Sequence, residues 1–365
     1  MKRILCLFTA LLLLFLTACG GDGEHPTEPP VSQSLPEALP PTPEPTPEPT
    51  PEPTPLPFRE PLTGVPCAED ISGKRPVAIM LNNLKASLPQ QGNSQADIIY
   101  EVLAEGGITR MLAVYQRPED VGLIGSVRSA RQYYWELAQG HDAVYIHAGA
   151  SPEFYATKSR LGLFTVDGVN GTYAQADAGM FWRDRNRIEG KYFAVEHSLL
   201  TSGEVITAML EKEEKTVHTE GYQYQMAFAD DGTPADGQSA VTVTVPFSNS
   251  KSSVFRFDEA SGLYLAEEYG EPYIDGNGGT QVAVTNLIVV RAVCTVVDNY
   301  GRVSVDLTSG SGWFACGGRM VPITWEKGSA NRQLRYYTED GSPLTLGRGR
   351  SYVCVIPAGC AVTAE

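Results

Sequence analysis

The sequence predicts an α+β protein, in which an α/β layered domain at residues 62–218 is followed by a mainly antiparallel β domain at residues 219–365. In the first region short apolar runs alternate with helix-like segments, which is typical of strands covered by helices. In the second region short runs rich in Val, Thr and Tyr are bounded by Gly-containing turns, which favours antiparallel strands. The chain has 365 residues, 42% of them hydrophobic, enough for two domains with their own cores.

Residues 1–19 predict a lipoprotein signal peptide. Lys2 and Arg3 precede an apolar run at residues 4–16, which is interrupted only by Thr9. The run is shorter than the roughly 20 residues that span a bilayer, and it matches a signal-peptide core. It ends in Leu-Thr-Ala-Cys-Gly, which resembles a bacterial lipobox and predicts that Cys19 carries a diacylglyceryl lipid. The alternative is an ordinary secretory signal with a cysteine nearby.

Residues 20–61 predict a disordered tether rich in Pro, Glu and Thr, with the repeat "PTPEPTPEPTPEPTPLP". Proline lacks a backbone N–H and fixes φ, so such a run favours extended polyproline II. At about 3.1 Å per residue the tether reaches roughly 100 Å. Together with Cys19 it predicts a protein anchored by lipid to the cell membrane, on the extracytoplasmic face. A proline-rich ligand for an aromatic groove is the alternative role of this segment.

The net charge of −15 argues against nucleic acid or an anionic membrane surface as a bulk electrostatic partner. Much of this charge is local, because residues 20–58 contain seven acidic side chains and no Lys or Arg. We therefore attribute the negative net charge mainly to a solvated tether and not to a binding surface.

The order of elements follows from local patterns. Strands are predicted at "PVAIMLNN", "ITRMLAVYQ", "AVYIHAG" and "LFTVDGV". Helices are predicted at "QADIIYEVLAE" with Ser94 as N-cap, at residues 127–139, from Ser151-Pro152 to Leu161, and at "EVITAMLEKEE" with Ser202 as N-cap.

Strands in the second region are predicted at "YQYQMAFA", "AVTVTVPF", "SVFRFDEASGLYLAEEYG", "QVAVTNLIVVRAVCTVVD", "RVSVDLT", "MVPITWEK", "LRYYTED" and "SYVCVIP". The segment from "GRMVPITWEK" to "SYVCVIP" predicts successive antiparallel strands.

Five cysteines remain after Cys6 and Cys19, namely Cys67, Cys294, Cys316, Cys354 and Cys360. An extracytoplasmic location permits disulfides, so one or two are expected among the last four, with the pairing undetermined. No CxxC or zinc-finger spacing occurs. The sequence therefore predicts neither a metal site nor a cofactor.

Charged residues cluster around the second predicted strand. On a helix at "QADIIYEVLAE" three acids would form one stripe at i, i+4 and i+8, and three arginines follow nearby; the six are Asp97, Glu101, Glu105, Arg110, Arg128 and Arg131. One interpretation is an internal ion-pair network. The other is an anion site in which Ser126, Ser129 and the N-terminus of helix 127–139 hold a phosphate or carboxylate beside the arginines.

Other polar residues suggest proton-transfer chemistry. His147 ends the third predicted strand beside a Gly-rich loop, where α/β proteins place ligands, although a satisfied core histidine is an equal alternative. Ser151 lies outside any GxSxG elbow, so a Ser–His hydrolase finds little support. The loop "FWRDRNR" adds Arg183, Arg185 and Arg187 as a solvated or substrate-facing group. Glu196 and His197 follow as a carboxylate beside an imidazole.

The blocks "RPVAIMLNN", "PQQGNSQADIIYEVLAEGGITRMLAVYQ", "IGSVRSARQYY", "HDAVYIHAGASPEFY" and "EHSLLTS", together with "MVPITWEK…RYYTEDGSPLTLGRGRSYVCVIP", resemble the YerB-like lipoproteins of Gram-positive bacteria. The resemblance covers roughly residues 61–357. It implies a two-domain fold and the cellular location of a lipoprotein. It implies no activity, because the family is one of unknown function. The family's motif positions fall on Asn82, Gln95, Asp97, Glu101, Glu105, Thr109, Arg110, Arg128, Ser129, Arg131, His147, Ser151 and His197. This chain departs from the family at Ser126, where proline is common, and in its C-terminal cysteines.

Two functions are open on these grounds. The first is a binding or scaffolding lipoprotein of the cell envelope, which presents Arg110, Arg128 and Arg131 to an anionic wall polymer or an envelope protein. The alternative is an enzyme acting on a wall polymer, with Glu101 or Glu105 as acid/base and His147 or His197 assisting. The absence of a complete catalytic motif favours the first.

Overall fold

The computed structural model describes residues 56–365. The predicted signal peptide, Cys19 and most of the predicted tether lie outside these residues. Within the described part of the chain, no helix is long and apolar enough to cross a membrane.

The first half of the chain contributes ten strands, several of them very short: β1 (Phe58–Arg59), β2 (Pro66–Cys67), β3 (Val77–Asn82), β4 (Ile98–Leu103), β5 (Thr109–Tyr115), β6 (Leu123–Gly125), β7 (Val144–His147), β8 (Thr165–Asp167), β9 (Trp182–Arg183) and β10 (Leu199–Ser202). Its helices are α1 (Gln132–Gly140), α2 (Pro152–Leu161) and α3 (Gly203–Lys212). Single 3₁₀ turns occupy Lys85–Ser87, Asn93–Gln95, Glu105–Gly107, Pro118–Asp120, Thr172–Ala174, Ala176–Ala178 and Val195–His197.

The second half contributes strands alone: β11 (Ala227–Ala229), β12 (Gln238–Ser239), β13 (Thr242–Ser248), β14 (Lys251–Asp258), β15 (Leu263–Glu268), β16 (Glu271–Pro272), β17 (Ala283–Val284), β18 (Asn286–Val296), β19 (Val303–Asp306), β20 (Ser309–Cys316), β21 (Arg319–Glu326), β22 (Arg335–Tyr337), β23 (Thr345–Gly347), β24 (Ser351–Pro357) and β25 (Thr363–Ala364). The predicted β-rich character of this half is confirmed.

One sheet runs through both halves of the chain. It has twelve strands, in the order β12-β21-β20-β18-β24-β4-β5-β3-β7-β8, with β19 beside β18 and β22 beside β21. The halves join where β4 pairs in parallel with β24, which sets Glu101 opposite Cys354. Residues 54–365 accordingly form one compact unit. The predicted domain boundary at residue 218 stays a prediction, and it falls between segments that share this sheet.

Two buried cores lie on opposite faces of the large sheet. On one face, Ile99 and Met111 pack with Val245 and Phe255 of a six-stranded sheet, in which β17 joins the row β16-β15-β14-β13-β25. On the other face, Tyr100 packs with residues of α1 and α2. Because successive side chains of a strand point to opposite faces, strands β3 and β4 are buried on both sides.

Locally encoded elements agree with prediction. Strands β3, β5, β7 and β8 lie where apolar runs predict them. Helix α2 begins after Ser151, whose Oγ accepts from the Phe154 backbone N–H, and it ends at Gly162 in the left-handed region. Helix α3 begins after Ser202, whose Oγ accepts from the Val205 N–H. These signals need only residues three or four positions apart.

The helix predicted at "QADIIYEVLAE" is wrong. The segment forms strand β4, preceded by the 3₁₀ turn Asn93–Gln95, and Ser94 does not cap a helix but binds Asp275 through its hydroxyl at 2.8 Å. The strand forms because β5 and β24 pair with its two edges and both of its faces are covered. The α/β layering predicted for residues 62–218 is therefore not confirmed; the structure is mostly β with three helices.

The predicted helix 127–139 begins five residues later, at Gln132. The residues before it are extended because neighbouring strands take their backbone N–H groups: Val127 donates to Leu199, and Arg128 donates to Met80. Arg131 occupies the N-cap without a side-chain cap. Ser126 and Ser129 therefore do not sit in the first turn of a helix, and the predicted phosphate cradle is not formed.

One prediction for the second half holds in part and another fails. The predicted antiparallel order holds where β21 pairs with β22. It does not hold for the last two strands of the segment, because β24 pairs in parallel with β18 and β4, and β23 pairs in parallel with β11. The expected disulfides are absent from the described residues, where Cys67, Cys294, Cys316, Cys354 and Cys360 are all unpaired. Cys354 is fully buried in β24, and burial raises the pKa of its thiol.

Candidate functional site

The predicted charge constellation is divided by the large sheet. Neighbouring residues of β5 point to opposite faces, so Thr109 and Arg110 enter different clusters. Thr109 joins Glu101 on the face of the six-stranded sheet. Arg110 joins Glu105 and Arg131 on the face of α1.

Glu105 neutralises part of the arginine cluster. The Nη2 groups of both Arg110 and Arg131 bind its Oε1, and Arg131 Nε lies 3.3 Å from its Oε2. Arg110 also donates to the Ser129 carbonyl at 3.0 Å. Burial acts to raise the pKa of Glu105, but the two guanidinium charges outweigh burial and hold the pKa below its usual value. One carboxylate thus serves two arginines, which is the predicted internal network.

Arg128 has a different environment. No carboxylate of the described residues forms an ion pair with it; its Nη1 donates to the Glu196 carbonyl at 3.0 Å, and its Nε has no partner. Two more arginines bind carbonyls of the same segment: Arg183 donates to Val195 at 2.6 Å and Arg185 donates to Phe193 at 2.9 Å. A carbonyl carries a dipole but no net charge. None of these three arginines forms an ion pair with a carboxylate of the described residues, although Glu196 and Glu105 act on the charge of Arg128 and Asp184 stands between Arg183 and Arg185 in the chain.

An aromatic side chain borders this group, which we call the arginine face (Arg128, Arg183 and Arg185). The Arg185 guanidinium lies 4.2 Å from the centre of the Tyr192 ring, and Tyr192 is 66% exposed. Trp182 is 36% exposed, but it precedes Arg183 in β9, so the two side chains point to opposite faces of the strand. A large exposed ring beside arginines that lack a carboxylate partner is typical of recognition surfaces.

The predicted catalytic histidines serve the fold. His147 is fully buried: its Nδ1 lies 2.9 Å from the Gly149 carbonyl, so Nδ1 carries the proton, and its Nε2 accepts from Thr165 at 3.0 Å. Burial lowers the pKa of His147 to about 4, so the ring is neutral at physiological pH. His197 Nδ1 accepts from Asn82 at 2.9 Å. Ser151 is the N-cap of α2.

The remaining predicted residues bind other parts of the protein. Asp97 is half-buried just before β4, accepts from the Gln116 N–H at 2.6 Å, and has a pKa raised to about 7 by desolvation of its carboxyl group. Gln95 donates to the Asp120 carbonyl at 3.0 Å. Ser126 is fully buried and its N–H donates to Gln90 at 2.5 Å, so it cannot reach an external anion. Arg187 donates at 2.7 Å to the carbonyl of Pro89.

A buried ionic cluster surrounds Glu101, which is 0% exposed. Lys251 Nζ lies 2.8 Å from Glu101 Oε1 and 2.5 Å from Glu268 Oε2. Tyr352 and Ser253 bind Glu101 Oε2, each at 2.8 Å. The sequence does not distinguish Lys251 and Glu268 from solvated residues, because both lie beside hairpin turns. The usable signal is Glu101 itself, a single charge inside the apolar run "IIYEVL" that needs a buried partner.

The two carboxyl groups of this cluster differ in protonation. Burial acts to raise the pKa of Glu101, but the charge and hydrogen bond of Lys251 outweigh it and lower the pKa. Burial, and then the nearby Glu101, raise the pKa of Glu268 to about 8. At neutral pH the cluster therefore holds an ionised Glu101, a protonated Glu268 and Lys251. Ser253 Oγ lies 2.9 Å from Glu268 Oε1. In this protonation state the Ser253 hydroxyl accepts a hydrogen bond from the protonated Glu268 carboxyl group and donates a hydrogen bond to Glu101.

This assignment predicts that Glu268 makes the protein less stable as the pH rises. Its pKa is raised from 4.5 to about 8, so the folded state holds a proton that the unfolded state loses between these values. The free energy of unfolding then falls with pH in that window, by at most about 1.4 kcal/mol per pH unit. We expect urea denaturation at about pH 5, 6.5 and 8 to give a slope of stability against pH that is more negative for the wild type than for Glu268→Gln, because Asp97 and His147 contribute equally to both proteins. Equal slopes for the two proteins would contradict the assignment.

The enzyme interpretation loses its geometric basis. Glu101 offers no surface to a substrate, and the Glu105 carboxylate is held in two ion pairs on the opposite face of the sheet. Neither residue is presented as a free acid/base beside His147 or His197. In the part of the chain that the structure covers, no group of three or more His, Cys, Asp or Glu side chains is arranged to hold a metal ion.

Comparisons with known proteins give a family and no activity. Residues 62–217 match the N-terminal domain, and residues 243–353 the C-terminal domain, of the protein of unknown function DUF3048. The sequence is 30% identical over 309 residues to "Putative lipoprotein YerB" of Bacillus subtilis (strain 168), which covers 82% of this chain and 86% of that protein. The fold is similar to the crystal structure of the YerB protein from Bacillus subtilis, with a TM-score of 0.71 and 26% identity over 84% of this chain and 99% of that one.

Proposed function

The chain belongs to the DUF3048 family of lipoproteins without known activity, and from this premise we propose that it is anchored at Cys19, faces the cell envelope and binds an anionic wall polymer through the arginine face. The observation that carries the binding proposal is the contrast between the arginines. Arg110 and Arg131 share Glu105, whereas Arg128 has no carboxylate partner among the described residues and its Nη1 binds only a carbonyl.

The ligand class follows from charge and shape. Three guanidinium groups that bind only carbonyls outnumber the neighbouring acids Glu196 and Asp184 and attract anions, and a guanidinium fork matches phosphate or carboxylate oxygens in a bidentate way. The exposed ring of Tyr192 beside Arg185 extends the surface beyond a single ion, which favours a polymer over free phosphate. An envelope protein is the other partner that such a surface could take, and the experiment below separates the two.

We expect Arg128→Ala to weaken binding to a glycerol phosphate polymer by at least about tenfold, because one hydrogen bond to a charged group contributes about 1.5–3 kcal/mol. Arg128→Lys keeps the positive charge but loses the bidentate guanidinium group, so its affinity for the polymer should lie between those of the wild type and Arg128→Ala. The measurement is retention of the full detergent-solubilised chain on immobilised polymer at increasing salt, with dextran as the neutral control polymer.

The matched control is Arg256→Ala. Arg256 is an arginine with a 55% exposed side chain on β14, paired with Glu267 and outside the arginine face. Its loss should leave retention unchanged. If wild-type protein is not retained, or if the Arg128 and Arg256 variants behave alike, the arginine face does not bind this polymer; crosslinking to an envelope protein that is lost only in the Arg128 variant would then identify the other class.

A further inference from the structure

A cavity lies at the end of the large sheet where strands β3 and β7 begin. It has a volume of about 430 Å³, within the size range of small-molecule sites. Arg75 and Asp142 border it just before the first residues of β3 and β7, whereas the arginine face lies near the last residues of these strands. Six residues of β3 separate the two edges by roughly 20 Å. The cavity is thus distinct from the arginine face.

The wall of the cavity is built as a rigid frame. Asp142 accepts from Arg75 Nη2 at 3.1 Å, from His218 Nδ1 at 3.1 Å and from the Thr219 N–H at 2.7 Å. The ring of Tyr222 stacks on His218 with centroids 4.2 Å apart. Its hydroxyl accepts from Gln333 Nε2 at 2.7 Å. These bonds fix one aromatic ring and one carboxylate before any ligand arrives.

Other polar side chains line the cavity without taking part in this frame. They are Gln139 at the end of α1, Gln223 and Gln225 in the segment after Tyr222, and Arg332 in the loop before β22. A carboxamide offers two donors and an acceptor, as a sugar hydroxyl both donates and accepts. The lining therefore presents amide groups whose hydrogen-bonding capacity is available to a ligand.

Charge complementarity selects the ligand class. The charged lining residues are two arginines and two acids, Arg75, Arg332, Asp142 and Glu220, and Arg75 and Asp142 are already paired. The wall is thus close to neutral, unlike the arginine face, and amides dominate it. A fixed aromatic ring offers its apolar surface to the C–H groups of a pyranose ring. We propose that this cavity, the amide pocket, binds a short neutral saccharide.

The test is calorimetric titration of the full chain with chitotetraose and, separately, maltotetraose, in a zwitterionic detergent that has no sugar headgroup. We expect saturable binding of at least one neutral tetrasaccharide. The double variant Gln139→Ala/Gln223→Ala should weaken it at least tenfold, because it removes two amides that the frame does not use. Arg128→Ala should leave it unchanged, so the amide pocket and the arginine face can fail independently.

Several results would overturn the amide pocket as a saccharide site. One is the absence of heat for both tetrasaccharides with wild-type protein that shows a native circular dichroism spectrum. A second is equal affinity of wild type and the double variant. A third is tighter binding of a neutral tetrapeptide than of either saccharide, because amide side chains also satisfy peptide groups.

Discussion

Replacing Lys251 by methionine is expected to lower the free energy of unfolding by about 3–5 kcal/mol, the cost of leaving a buried charge without its partner. Lys251 is 3% exposed and its ammonium binds Glu101, Glu268 and Ser253. Methionine keeps much of the chain length but removes the cation. Glu101 must then stay charged in the core without a counter-charge or take up a proton, and either state destabilises the fold.

The measurement is urea denaturation at neutral pH, followed by tryptophan fluorescence. The control is Lys74→Met. Lys74 forms a partly exposed ion pair with Glu119, and we expect a loss below about 1 kcal/mol. A second test combines Lys251→Met with Glu101→Gln, which removes both charges and should recover part of the stability lost by the single variant. If Lys251→Met costs no more than Lys74→Met, the buried cluster does not hold the two halves together.

Replacing Cys19 by alanine is expected to convert the protein from a membrane-bound to a released form. A diacylglyceryl group supplies two acyl chains, and each buried methylene contributes about 0.8 kcal/mol, so two chains anchor a protein stably where one does so only marginally. Without the thiol no lipid can be attached at this position. The measurement is the share of the protein in the membrane fraction of intact cells, together with incorporation of a labelled fatty acid.

The matched control for this prediction is Cys6→Ala, because Cys6 lies in the same predicted signal segment, residues 1–19, but outside the lipobox. The Cys6→Ala variant should incorporate as much labelled fatty acid as the wild type, and the same share of it should be found in the membrane fraction. Continued labelling of the Cys19 variant would place the lipid elsewhere. Loss of label without release would show that another part of the protein holds it at the membrane.

Prediction succeeded where a signal is local. The start of α2 at Ser151-Pro152 is such a signal, because the capping hydroxyl meets an N–H only three residues away. Prediction failed at β4, where "IIYEVL" fits a buried strand or a helix equally well. Pairing with β24, more than 240 positions later, decided between them. The charge stripe expected from the helix disappeared with it.

The sequence by itself determined the caps of α2 and α3 and the strands β3, β5, β7 and β8, and it carries the prediction of lipid on Cys19. The tertiary structure decided which charged side chains are neutralised by ion pairs within the protein. Glu105 pairs with Arg110 and Arg131 because the 3₁₀ turn after β4 meets the segment before α1. Glu101 meets Ser253 across 152 positions of chain. Burial and ion pairing depend on such distant contacts, so only the folded chain shows that, among the described residues, Arg128 has no carboxylate partner whereas Arg110 and Arg131 share one.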